Sequence, residues 1–231
     1  MHGTRAKIFV EGTNRFQVQF DPGEYDLSKA FMTTIGFDAR HYIRLDRHSI
    51  FATRLAGATS FGSERILYTL GGVKNWISPN YNQSTPRPQS NDFAFQAAVN
   101  DMRGFDQNIR NGSSYLLANA ELRIPFFNYF SRREIKSKFL RNFQIVGFVD
   151  AGTAWHGRSP TSPGNLLNQE TLTNRVSEVQ VQFFRDPLIV GYGAGARINL
   201  FGYFLRLDYA WGFETRQQTD PIFYLSLGHD F

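Results

Sequence analysis

The sequence contains no cysteine, so neither a disulfide framework nor a thiolate metal site can be built from it. It has no uninterrupted apolar run of about 18 residues, which excludes a membrane-spanning helix. His2-Gly3-Thr4-Arg5-Ala6-Lys7 is polar and lacks the apolar stretch and cleavage site of a signal peptide. Gly-x-Ser-x-Gly, His-Glu-x-x-His and a phosphate-binding glycine loop are all missing, so no enzyme is expected. His2, His41, His48, His156 and His229 stand far apart, and neither a metal nor a cofactor is expected. Charge is scattered, 25 Lys+Arg against 20 Asp+Glu, which argues against a nucleic-acid partner.

What the sequence has in excess is aromatic side chains: 23 Phe, 10 Tyr and 3 Trp. That is more than one soluble core of this size absorbs, so many must face something other than water. Period-two alternation dominates the pattern. Leu188, Val190, Tyr192, Ala194, Ala196, Ile198 and Leu200 fall on one face, with Gly191, Gly193, Gly195, Arg197 and Asn199 opposite. After Phe201-Gly202, Tyr203, Leu205, Leu207, Tyr209, Trp211 and Phe213 oppose Arg206, Asp208, Gly212 and Glu214. Such alternation predicts strands, here joined in a tight hairpin.

Three more segments repeat the signal. Leu116, Ala118, Ala120, Leu122 and Ile124 oppose Tyr115, Asn119, Glu121 and Arg123; Phe143, Ile145, Gly147, Val149 and Ala151 oppose Gln144, Phe148, Asp150 and Gly152. At the end, Phe223, Leu225, Leu227, His229 and Phe231 oppose Tyr224, Ser226, Gly228 and Asp230. Weaker candidates are Thr4–Phe20, Lys29–Leu45, Ser49–Phe61 and Glu64–Gly71, about eight or nine strands in all. Soluble strands run about five or six residues, whereas tilted membrane-spanning strands need about nine to eleven. These segments match the longer class. Phe61-Gly62-Ser63-Glu64 and Phe201-Gly202 read as short turns on one side, and 72–112 and 156–187 as long loops on the other. The fold class is all-β: an antiparallel transmembrane β-barrel.

Three features carry a resemblance. Met102-Arg103-Gly104-Phe105 stands inside the first long loop, Phe148-Val149-Asp150-Ala151-Gly152 lies on a later strand, and the chain ends in Phe231 after alternating apolar residues. In this order they resemble the Val/Ile-Arg-Gly-Phe loop, the Phe-x-Asp-x-Gly strand and the carboxy-terminal sorting signal of the BamA/TamA outer-membrane superfamily. The departure is Met102, where the family has Val or Ile. The resemblance implies the carboxy-terminal portion of a sixteen-stranded barrel spanning residues 1–231, with amino-terminal strands and a periplasmic domain expected upstream. About nine strands leave two edges open.

The resemblance also implies a loop-to-wall lock made by Arg103, Gly104, Phe105, Phe148, Asp150 and Gly152. Strand phase adds Glu121, which shares the polar face with Asp150. A guanidinium on a loop folded inward can grip carboxylates on adjacent strands in a fork geometry. The alternative is that Arg103 lies in a solvated loop and Asp150 balances Arg197 or Arg206. Phe223, Leu225, Leu227 and Phe231 are the expected sorting signal and one side of a barrel seam.

Gly71-Gly72-Val73-Lys74-Asn75-Trp76, Phe139-Leu140-Arg141-Asn142-Phe143 and Pro221-Ile222-Phe223-Tyr224-Leu225-Ser226-Leu227 look like Bacteroidota proteins with a TolB-like propeller before the barrel. The implied function is insertion or translocation of polypeptides at the bacterial outer membrane. Implied partners are outer-membrane lipid, substrate outer-membrane proteins, and periplasmic or lipoprotein partners. Two other readings stay open: a barrel that anchors or secretes an upstream lipase or propeller domain, and a structural barrel without transport.

Overall fold

The computed structural model describes residues 3–21, 24–87, 93–130, 135, 137–162, 165, 169–173, 178–182, 185–200 and 203–228. A long hairpin, β1 (Gly3–Asp21) and β2 (Glu24–Arg44), leads into β3 (Ile50–Gly62). Three strands then leave the wall: β4 (Arg65–Leu70), β5 (Phe93–Val99) and β6 (Arg110–Gly112). The wall resumes with β7 (Ser114–Ile124), passes two short helices, α1 (Phe126–Phe130) and α2 (Lys138–Asn142), and returns along β8 (Gln144–Trp155). After the pair β9 (Gln169–Thr173) and β10 (Glu178–Gln182) come β11 (Ile189–Leu200), β12 (Tyr203–Glu214), the two-residue β13 (Gln217–Gln218) and β14 (Ile222–Gly228).

The main sheet runs β1-β2-β3-β7-β8-β11-β12, with β13 and β14 both pairing with β12. Every pair in it is antiparallel. Both long connections, β3 to β7 and β8 to β11, therefore leave from the same end of the sheet. At the start of the first connection, one expected turn and one expected strand are corrected. Glu64–Gly71 is no wall strand, because β3 pairs directly with β7 from Ile50↔Arg123 to Thr59↔Ser114 and leaves no vacancy. Instead β4 lies inside, parallel to β5 and antiparallel to β6. Ile66, Leu67, Tyr68 and Leu70 are buried, so this strand has protein on both faces, unlike a lipid-facing strand. Phe61-Gly62-Ser63-Glu64 accordingly sits at the long-loop end. Gly62 takes a positive φ of 130° there, and the Ser63 amide donates to the Phe31 carbonyl at 3.0 Å.

The two faces of the wall differ in the way the alternation predicts. Leu116, Ile145, Val149, Tyr209, Phe213, Phe223 and Leu227 are exposed on the outer face. Tyr192 and Trp211 stack there at 5.9 Å, with Tyr209 edge-on to Trp211 at 4.9 Å. No second protein layer covers this face among the described residues: the sheet's outward Leu205, Leu207, Val190 and Ile198 stay partly accessible. The inner face carries Arg54, Asn119, Glu121, Arg123, Asp150, Arg197, Arg206 and Asp208. Apolar residues outside and charge inside is the inverse of a soluble sheet, and it is the arrangement a bilayer requires.

At the short-turn end, Asp46 accepts the His48 and Ser49 amides at 2.7 Å each and the Tyr129 hydroxyl of α1. The Tyr129 bond, followed by the two amides, holds this carboxyl down at about 2. The turn between β2 and β3 is thereby tied to the link between β7 and β8.

Candidate functional site: the inserted loop and its socket

Loop residues Met102, Phe105 and Ile109 are buried with Ile66, Tyr68 and Leu70 of β4 against Met32, Leu117, Ala154 and Ile189 of the wall. This apolar plug carries the loop tip down to the charged inner face. Gly104 turns the tip with φ +88°, and a Cβ there would collide with the Trp211 carbonyl of β12. Gly212 and Gly191 give matching room: a Cβ on the first would strike the Phe105 ring, and on the second the Arg103 carbonyl. Only a tip without a side chain between two wall glycines lets the backbones approach this closely.

Arg103 is 1% exposed and Asp150 is 0% exposed. The guanidinium grips Asp150 with a fork, Nε to Oδ2 at 2.6 Å and Nη2 to Oδ1 at 2.7 Å. The Arg103 amide adds a third bond to the same carboxylate at 3.2 Å. Nη1 donates to Glu121 Oε1 at 2.8 Å. Glu121 and Asp150 lie on adjacent strands, β7 and β8, where Asn119 stands opposite Asp150 and Glu121 opposite Phe148. The Phe148 ring lies under the guanidinium, 3.6 Å from Cζ to centroid. Gly152 provides space further along β8, where an added Cβ would come within 3.1 Å of the Leu70 side chain. Arg103, Gly104, Phe105, Glu121, Phe148 and Asp150 thus gather at the loop tip, while Gly152 lies further along β8 against Leu70 of the plug. Removing one partner from so closely paired a buried cluster leaves the rest uncompensated.

Asp150 pairs with Arg103, not with Arg197 or Arg206. Arg197 instead donates to Glu121 at 2.7 Å, as does Arg123 at 2.8 Å, so one carboxylate serves three arginines. Arg206 reaches Asp208 at 3.4 Å.

Several partners were not foreseen from sequence. Asp101, with φ +75°, sits two residues before Arg103 and meets Arg54 of β3 at 3.3 Å and Arg206 of β12 at 3.6 Å. Asn119 ties the pieces together, donating to the Asp101 carbonyl at 2.6 Å and to Asp150 at 2.8 Å. Fully buried Arg110 on β6 binds Glu214 of β12 and the Asp186 carbonyl of the other long loop. On β14, the Tyr224 hydroxyl donates to the Phe105 carbonyl at 2.9 Å. A run of Asp-Met-Arg-Gly-Phe offers the loop half of these contacts, but nothing local in the sequence marks Arg54, Glu214 or Tyr224.

Phe223 and Leu227 are exposed on the outer face of β14 and Leu225 is partly exposed beside them. Phe231 and the Phe201-Gly202 turn lie outside the described residues. Among the described residues, no group of three or more metal-ligating side chains occurs.

No curated protein and no solved structure matches the chain. The model of the Omp85 superfamily domain matches residues 9–231, nearly the whole sequence, and the chain belongs to that superfamily of outer-membrane barrels for inserting or secreting polypeptides.

Proposed function

We propose that this chain is the carboxy-terminal wall and inserted loop of a BamA/TamA-type barrel that adds polypeptide strands to the outer membrane. The observation that carries the reading is the buried fork between loop Arg103 and wall Asp150, shared with Glu121. A loop fixed by charge to β3, β7, β8 and β12 holds the inner face in one shape while strands at the sheet's margin exchange. Among the described strands, β14 pairs with β12 alone. An unpaired edge is a template for strand addition, which gives affinity through backbone hydrogen bonds and specificity through alternate side chains. Phe223, Leu225 and Leu227, with Phe231 beyond them, make β14 the apolar margin for such an exchange. The partners are then outer-membrane lipid, nascent barrel proteins, and periplasmic or lipoprotein accessory factors at the short-turn end.

A photoreactive amino acid in place of Leu227, in the full-length protein in its membrane, tests this directly. Adducts with barrel precursors are expected during active synthesis and should disappear when export is stopped. Adducts with lipid alone, while barrel precursors continue to be assembled by this protein, would remove the seam from the mechanism.

A further inference from the structure

The margin of β14 is not empty. The Ile77 amide donates to the Leu225 carbonyl at 2.9 Å, and the Leu227 amide donates to the Asn75 carbonyl at 3.4 Å. Between them Trp76 and Ser226 form an antiparallel bridge. In the β12–β14 register, Ser226 lies opposite Arg206 and Leu225 and Leu227 opposite Leu207 and Leu205. Antiparallel bonding alternates along a strand, so the Leu225 carbonyl and Leu227 amide are the groups that β14 turns away from β12. The loop therefore takes the side of β14 that faces away from β12, by the bonds that an added strand would use.

Side chains hold the segment in place. The Trp76 ring packs on Tyr224 at 4.7 Å, and Val73 is buried with Val146, Phe148, Ala210 and Tyr224. Tyr224 in turn donates to Phe105, next to the Arg103 tip. The segment belongs to the same inserted loop, joined to it where Gly72 bridges Met102. Occupancy of the β14 margin is therefore mechanically continuous with seating of the tip.

We propose that Asn75–Ile77 is a built-in occupant of the β14 edge, an autoinhibitory strand that an incoming polypeptide strand must displace. This rests on the reading of β14 as the site of strand addition. The arrangement protects an edge that would otherwise pair indiscriminately. It also requires a substrate to offer more bonds than the two it replaces, which selects long, regular strands over short peptides.

A cross-strand disulfide tests the proposal, since the chain has no native cysteine. Trp76→Cys with Ser226→Cys places both thiols on a non-hydrogen-bonded antiparallel pair, where Cα atoms are about 4.5 Å apart and a bridge can close. The full-length double variant, folded in the membrane by heat-modifiable migration, is expected to oxidise readily, while each single variant stays free. Oxidation should lower precursor adducts at a photoreactive Leu227 by about tenfold or more, and reduction should restore them. Ile77→Pro, which removes one edge donor, should raise the same adducts.

Failure of the disulfide to form would overturn the occupancy. Equal adducts from oxidised and reduced protein would overturn the competition while leaving β14 as the addition site. Absence of precursor adducts in both states, and in the protein without the cysteines, would remove the addition site itself.

Discussion

The outer and inner faces of the same sheet follow one alternation and obey opposite rules. Outside, Leu116, Val149 and Phe223 are exposed and offer only apolar surface, and the ring cluster of Tyr192, Trp211 and Tyr209 carries no charge. Inside, residues act as a network in which Arg103 binds Asp150 and Glu121, and Glu121 also binds Arg123 and Arg197. The outer face should therefore tolerate many apolar sequences, and the inner face few charge arrangements. Reversing Arg103 to Glu places three carboxyl groups together in a buried site, at a cost of about 3–5 kcal/mol. The loop should then be cut by external protease in intact cells, and assembly should fail. Adding Asp150→Arg restores one opposite-charge pair, so the double variant should recover protection lost in each single one. Strict additivity of the two changes would break the claim that the inner face is a network.

The outer face is probed by a walk of arginine along β7 at Leu116, Ala118, Ala120 and Leu122. If hydrocarbon contacts this face, the cost should peak near mid-strand at about 2–4 kcal/mol and fall to about 0–1 kcal/mol at the ends. Urea titration of the full-length protein refolded in lipid vesicles measures the profile. A flat profile of small costs would mean that water, not lipid, meets this face.

The wall was legible in the sequence because each strand has two unlike solvents, and that contrast writes itself as a period of two. Glu121 and Asp150 could be put on one face by counting alone, and the motif resemblance supplied Arg103. The plug was not legible for the same physical reason. Ile66, Leu67, Tyr68 and Leu70 are buried in protein on every side, so β4 shows a continuous apolar run and passes for another spanning strand. Long-range partners were hidden more completely. Arg110 and Glu214 are joined across the whole second half of the chain, and Trp76 reaches Ser226 from a loop. Such pairs have no local pattern, because the loop's path, not its composition, brings them together.

A milder probe concerns the junction of wall and plug on the long-loop side, where His156 follows the last residue of β8. Its ring lies edge-on to Phe93 at 5.5 Å, and Nε2 is buried without a hydrogen-bond partner. Burial, with the Arg65 charge adding to it, lowers this imidazole to about 4 from its ordinary 6.5. The folded form thus keeps His156 neutral where the unfolded chain takes up a proton. Its packing is fully stabilising above pH 6.5, weakens as pH falls below that value, and loses nothing further below about 4. Hydrogen exchange of the amides in Arg65–Leu70 and Phe93–Val99, corrected for intrinsic rates, should show protection falling up to about tenfold per pH unit inside that window. His156→Phe keeps the ring contact and removes the titrating group, so its protection should vary much less with pH. The arginine placed at Leu116 should be insensitive to the same acidification, because Gly57 and Thr153 flank it on the two neighbouring strands. If wild type and His156→Phe lose protection in parallel, the plug responds to the inner-face carboxylates instead, and the two faces differ in their pH response through the socket alone.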